Sequence, residues 1–329
     1  MLNGRTTLRT AVVALAVAAM IAPACAAHAD PTPEELQARI DQGNKEVELV
    51  VEQYNKVNGD LEATQAAITK LQADLLPLQA SMQAARDDAA TVAVNAYKTG
   101  GNLGTWSLML GARSTDAFTD RVGTLRQISR SQQRDLAAYG TAKDAFDAEQ
   151  RRLNDTLATQ SQQKIELETR RKKIEGDIAR LDELQRKAEA AAAAAKAKPK
   201  TTTTTANPGK PPAVSGSAGK AVSYAWAQLG KKYVWGAAGP NTFDCSGLTM
   251  MAWKAAGVSL PHNAAQQYQK VRHISRSQLA PGDLVFYNGL GHVGIYIGNN
   301  QIIHAPNSRT VVKVAPIDID SLYGYGRPG

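Results

Sequence analysis

Apolar residues recur every seven positions along two long stretches, and a chain with that pattern must cover two long apolar stripes before anything else. In residues 34–97 one series runs Ile40, Val47, Tyr54, Leu61, Ile68, Leu75 and Met82. Its companion runs Leu36, Val50, Val57, Leu71, Leu78 and Val92, with Gly43 and Thr64 as gaps. The spacing predicts one helix, roughly 95 Å long if straight, packed in a left-handed coiled coil. Pro77 lies inside it, where it removes a backbone hydrogen bond and bends a rod. Residues 114–190 repeat the pattern with Phe118, Leu125, Tyr139, Phe146, Leu153, Leu167, Ile174 and Leu181. Their second seam is poorer: Val122, Leu136, Leu157 and Ile178 alternate with Lys143, Gln150, Lys164 and Arg171. Two long helices joined by a short segment predict an antiparallel hairpin; a parallel coil between chains would satisfy the same stripes.

The segments around the rods differ in composition. Between them, glycines flank Leu103, Trp106, Leu108, Met109 and Leu110, a cluster that reads as a self-capping tip or a docking surface. Residues 191–217 change to alanine, lysine, threonine and proline, which bury nothing and read as an extended linker. Residues 1–29 read as a secretory leader: Arg5 and Arg9, an apolar run from Ala11 to Ala22, and an Ala27-His28-Ala29 cleavage site. An uncleaved anchor is the alternative. The domain reading is therefore leader 1–29, coiled coil 30–190, linker 191–217 and a compact C-terminal unit 218–329. The formal charge of +8 suits an anionic wall or membrane surface. No nucleic-acid motif is present.

The chain has two cysteines, and cleavage of the leader removes Cys25. Cys245 then has no disulfide partner, and an unpaired thiol outside the cell is either a core filler or a nucleophile. It stands in Phe243-Asp244-Cys245-Ser246-Gly247-Leu248, where a glycine-rich loop passes into a helical stretch. A helix N-terminus favours the thiolate and predicts a lowered pKa. His292 and His304 border apolar runs that read as strands, so two adjacent antiparallel strands would set their rings side by side as base and orienter. Helices at 219–229, after Cys245 and around Gln266, followed by strands at 283–287, 293–297, 302–305 and 311–314, give an α+β unit with an antiparallel sheet. His262 and His273 read as surface loop residues. Cys245, His292 and His304 could bind zinc in number, but no C-x-x-C or H-E-x-x-H pattern accompanies them, so no metal or other cofactor is expected.

Four blocks in order carry a family resemblance: Tyr233-Val234-Trp235-Gly236, Phe243 to Leu248, Pro281-Gly282-Asp283-Leu284-Val285-Phe286, and Gly291-His292-Val293-Gly294-Ile295-Tyr296. Residues from about 219 to 327 resemble the NlpC/p60 cysteine peptidases, which are papain-like cell-wall endopeptidases. The resemblance implies Cys245 as nucleophile, His292 as base and His304 as third member, with Tyr233, Asp244 and Ser246 on the substrate side. It implies cleavage of peptidoglycan stem peptides, most often between γ-D-glutamyl and a diamino acid. The arginine usual after the Leu-Pro pair is His262 here, which bears on substrate preference. The layout is also similar to division-linked hydrolases of the PcsB and RipC type, whose coiled coils dock on a membrane partner of the FtsX type. The expectation is thus a secreted hydrolase, in the wall or on the outer side of the cytoplasmic membrane, restrained by its coiled coil. The alternative is a non-enzymatic adaptor whose C-terminal domain binds the wall.

Overall fold

The computed structural model describes residues 31–98, 114–194 and 212–329. The leader 1–29, the tip cluster Leu103–Leu110 and linker residues 195–211 lie outside the described residues.

Helix α1 spans Pro33–Lys98 and α2 spans Thr115–Ala194. A reciprocal cap starts α1: Glu35 N donates to Thr32 Oγ1 at 3.2 Å, and Thr32 N donates to Glu35 Oε2 at 3.0 Å. The helix continues through Pro77. The two helices pack antiparallel within one chain: Leu36 and Ile40 meet Ala188, while Ile68 and Leu75 meet Leu153. The Gly43 gap in the seam has a partner too. A Cβ there would stand 2.5 Å from Leu181, so the large residue of α2 occupies the missing side chain's place. The seam is not sealed throughout. Phe118, Leu136 and Leu157, all assigned to it from their spacing, are exposed.

The C-terminal unit contains α3 (Gly216–Trp226), α4 (Cys245–Ala255) and α5 (Ala264–Lys270). Its strands are β1 (Arg272–Ile274), β2 (Leu284–Tyr287), β3 (His292–Gly298), β4 (Gln301–His304), β5 (Lys313–Pro316) and β6 (Leu322–Arg327). They form one antiparallel sheet in the order β1-β6-β2-β3-β4-β5. Asn299 and Asn300, with φ of 51° and 53°, make the two-residue turn that joins β3 to β4. Helices α3 and α4 cover one sheet face through Ala221, Val222, Leu248 and Trp253 against Leu284, Phe286, Val293 and Ile295. A smaller cluster of Val285, Tyr287, Tyr296, Ile302 and Ile317 lies on the other face. Sequence periodicity missed β1 and β6. The apolar alternation of β6 is broken by Gly324 and Gly326, and Gly326 is small for a reason: a Cβ there would lie 2.2 Å from Val271 Cγ2. Arg327 closes the sheet edge with 2.7 Å bonds from Nε and Nη2 to the buried Asp283 carboxylate.

Candidate active site

Cys245 is the first residue of α4, and Asp244 is its N-cap. The Asp244 carboxylate accepts from Gly247 N at 2.7 Å, from Gly236 N at 2.9 Å and from His262 Nε2 at 2.8 and 2.9 Å. These bonds lock the loop–helix junction and so fix the thiol beside it. Gly247 is required here: a Cβ would meet Ala237 O at 2.3 Å. His262, expected on the surface, is instead mostly buried on Asp244, because the carboxylate needs a donor on that side. Its pKa is raised, since the pull of Asp244 outweighs its burial. His273 is exposed and stacks on Tyr268, 3.9 Å between ring centres.

Strands β3 and β4 bring His292 and His304 together. Their register pairs Ile295 with Ile303, and continuing it sets His304 opposite Gly294. With no side chain at 294, His304 reaches diagonally to His292, and His292 Nε2 lies 2.9 Å from His304 Nδ1. Both rings are buried. The inter-histidine bond leaves His292 Nδ1 as the nitrogen free to exchange a proton, and Glu48 Oε1 lies 3.6 Å from it. Tyr233 and Ser246 are buried in the same region, as is Asp244. Cys245 and His292 thus face one cleft along the same side of α1, touched through Glu52 at 3.3 Å and Glu48 at 3.6 Å.

That cleft is filled by α1. Seam residues such as Leu36, Ile40, Ile68 and Leu75 face α2, but Glu48, Glu52 and Asn55 form a second stripe that faces the C-terminal unit, and Tyr54, assigned to the seam from its spacing, turns to that unit as well. The Cys245 thiol donates to Glu52 Oε1 at 3.3 Å. Glu52 Oε2 accepts from Ala264 N at 2.5 Å, and the Glu52 carbonyl accepts from Asn263 Nδ2 at 2.6 Å. Asn55 Nδ2 donates to Asp244 Oδ2 at 2.9 Å, with Ser246 Oγ 3.5 Å away. Asn288 Nδ2 donates to Glu48 Oε2 at 3.3 Å. Around this centre, Tyr54 meets Trp235 edge-on at 5.2 Å, Lys45 pairs with Asp320 at 2.7 Å, and Arg309 bonds both Asp182 and Asn44. A cavity of about 410 Å³ remains between the helix and the two histidines, lined by Asn44, Lys45, Glu48, Asn307 and Lys313 among others.

The seated helix sets the protonation states. Burial first, and then the carboxyls of Glu52, Asp244 and Glu48, push the Cys245 thiol well up. The lowered thiol expected at a helix N-terminus is not what this arrangement holds, because desolvation and three acids outweigh a helix-end partial charge. Burial lowers His292 to about 4 and His304 well below its usual range. Burial also raises Glu48 to about 8, and burial with repulsion from Asp244 raises Glu52 to about 7. Tyr233 is pushed up by burial and by Cys245. With α1 seated, the cleft holds a thiol and neutral imidazoles and no thiolate. Sequence reading missed Glu48, Glu52 and Asn55 because polar residues beside a coiled-coil seam ordinarily face water. Among the described residues, no three or more of His, Cys, Asp and Glu are grouped so as to hold a metal ion.

Residues 230–323 match the model of the NlpC/P60 family, and this part of the chain is an NlpC/P60 domain with a papain-like α+β fold. A probable endopeptidase p60 of Listeria grayi is 47% identical over 117 residues, covering 34% of this chain and 22% of that protein. A probable endopeptidase of Mycobacterium tuberculosis is 39% identical over 110 residues, covering 33% of this chain and 29% of the relative. The chain thus spans less than a third of the length of these relatives. The solved peptidoglycan hydrolase RipB of Mycobacterium tuberculosis matches with 29% identity and a TM-score of 0.32, over 34% of this chain and 64% of that one.

Proposed function

We propose that the chain is a peptidoglycan endopeptidase with a cysteine nucleophile, stored in a latent state by its own helix α1. The observation that carries this reading is the pair His292–His304, bonded at 2.9 Å, which α1 covers through Glu48 while its next turn covers the thiol at the start of α4 through Glu52. The family match over residues 230–323 and the names of the relatives support the substrate class.

Once α1 leaves, the thiol loses Glu48 and Glu52 and keeps only Asp244 beside it, and both the thiol and His292 regain solvent. His292 Nδ1 takes the thiol proton, and His304 holds the ring through Nε2. The sulfur attacks the carbonyl of a stem peptide, and the backbone N–H of Cys245, which lacks an intrahelical acceptor, faces the developing oxyanion. His292 returns the proton to the leaving amine. Water then adds to the thioester by the same base, releasing the acid and restoring the thiol. We assign the scissile bond to γ-D-glutamyl–diamino acid linkages, with Tyr233, Asp244 and Ser246 contacting substrate. Asn55 of α1 now occupies the acceptor of Asp244, the position a substrate donor would take.

In this reading the protein is exported by its leader and acts at the wall during division. A membrane partner of the FtsX type, docking at the tip of the hairpin, would draw α1 from the cleft. Digestion of purified peptidoglycan by the full chain, with and without loosening of α1, tests it. Mass analysis should find fragments ending at the γ-glutamyl carboxyl, and none with Cys245→Ala. Intact peptidoglycan under every condition would favour the wall-binding adaptor.

A further inference from the structure

Helix α1 does more than cover the cleft. It places one carboxyl against each member of the candidate catalytic pair, one helical turn apart: Glu48 on His292 Nδ1 at 3.6 Å and Glu52 on Cys245 at 3.3 Å. Both are withdrawn from water, and Glu52 is only 3% exposed. Among the described residues, neither carboxyl has a lysine or arginine within ion-pair distance. The groups that face them are mostly acidic or neutral. From the C-terminal unit, Glu52 meets Asp244, Ser246, the Cys245 thiol and His262, and Glu48 meets Asp320, Asn288 and His292. On α1 itself, Glu48 and Glu52 repel each other, and Lys45, bonded to Asp320, pulls Glu48 down by less than burial pushes it up; Asp41 of α1 and Lys313 of β5 line the same cavity. On α2, Arg170 is held by Glu166 and Gln53. Two buried carboxylates with no lysine or arginine bonded to them, one beside Asp244, are a costly arrangement; two carboxylic acids are not.

We propose that the latent state is held by protons: α1 seats with Glu48 and Glu52 as neutral acids, and their ionisation expels the helix from the cleft. This regulation rests on the cleft being the active site. The seated carboxyls sit near 8 and 7, against about 4.3 for a glutamate in water. A group whose seated pKa is raised stabilises seating fully below its free value, and the benefit disappears as pH rises through the seated value. The two histidines act the other way, because seating keeps them neutral. Their effect is confined to pH below about 6.5, where free imidazole takes up a proton. The thiol, pushed up by seating, adds to the carboxyls as pH approaches its free value of about 8.5. Between pH 6.5 and 8 the carboxyls and the thiol both point toward release, and the carboxyls alone should shift the equilibrium at least about tenfold.

The test measures the iodoacetamide reaction rate at Cys245 in the full-length chain from pH 6.5 to 8. Wild type is compared with the double variant Glu48→Gln, Glu52→Gln, whose amides cannot ionise. Dividing one rate by the other removes the titration of the free thiol, which both proteins share. The ratio of wild type to double variant should climb at least about tenfold across the range. A flat or falling ratio would overturn the proposal. If the double variant does not keep its helicity, Glu52→Gln and Glu48→Gln singly serve: each should remove part of the climb, and no change in either overturns the idea. Alkylation reports whether α1 is seated and is blind to what Cys245 cleaves. Failure here therefore leaves the endopeptidase reading to be judged by peptidoglycan digestion.

Discussion

Replacing Asn55 with alanine should release the cleft without touching the proposed catalytic residues. Asn55 is 3% exposed, and its amide gives Asp244 a 2.9 Å hydrogen bond. A hydrogen bond to a charged group contributes about 1.5–3 kcal/mol. Asp244 keeps Gly236 N, Gly247 N and His262 as donors when the amide is gone, so the substitution strands no buried charge. The loss is therefore the bond itself, about 2 kcal/mol, which is about 30-fold in the ratio of seated to open molecules. The hairpin should stay intact, because its seam is held by Leu36, Ile40, Ile68 and Leu75 and not by Asn55, and alanine is the better helix former. Asn55→Asp should open the cleft further, since it sets a carboxylate against Asp244. The assay is the rate at which the full chain releases stem-peptide fragments from purified peptidoglycan, with helicity checked in parallel. Asn55→Ala should raise the rate about 10- to 30-fold if the seated form dominates in wild type. An unchanged rate at unchanged helicity would mean that α1 does not guard the cleft in solution.

In the Asn55→Ala background, Cys245→Ala and His292→Ala should each lower hydrolysis by about 10³-fold or more, and the double variant should lose no more than either, as members of one unit do. His304→Ala should cost less, because water can replace part of its hold on His292; equal losses would make His304 more than an orienter. The His292 ring, held near 4 when α1 is seated, should show no NMR titration between pH 5.5 and 8 in wild type and should titrate near 6.5 in Asn55→Ala; identical curves would contradict burial by the helix. Gly247→Ala should destabilise the C-terminal unit by about 1–3 kcal/mol in urea unfolding, because its Cβ would stand 2.3 Å from Ala237 O. Wild-type stability would show that the loop has room to move.

The heptads announced the two rods because a coiled-coil seam repeats one simple contact over many turns. The four motif blocks point to the candidate site because a nucleophile and a base would need particular residues at fixed places in the fold, and the structure brings Cys245, His292 and His304 to the side of α1 that carries Glu48 and Glu52. Glycines hid β6, whose backbone pairs normally while its side chains break the alternation. His262 was misread because burial on Asp244 depends on how the loop after Pro261 folds back, which no local pattern encodes. The second stripe of α1 was the least legible feature. Glu48, Glu52 and Asn55 have ordinary helix-surface chemistry, and only the packing of a distant unit against them gives it meaning. The restraint by the coiled coil was expected on architectural grounds alone; the residues that would exert it emerge from the docked arrangement.

The claim beneath all of this is that Cys245 forms the covalent intermediate on a peptidoglycan stem peptide. Mixing the full-length Asn55→Ala protein with purified stem-peptide fragments, quenching in acid within the first turnovers and weighing the intact protein tests it directly. The account predicts a transient mass increase equal to the acyl portion ending in γ-glutamyl, mapped to Cys245 and lost with Cys245→Ser. Fragment release that continues undiminished in Cys245→Ser, with no adduct at any time, would contradict it.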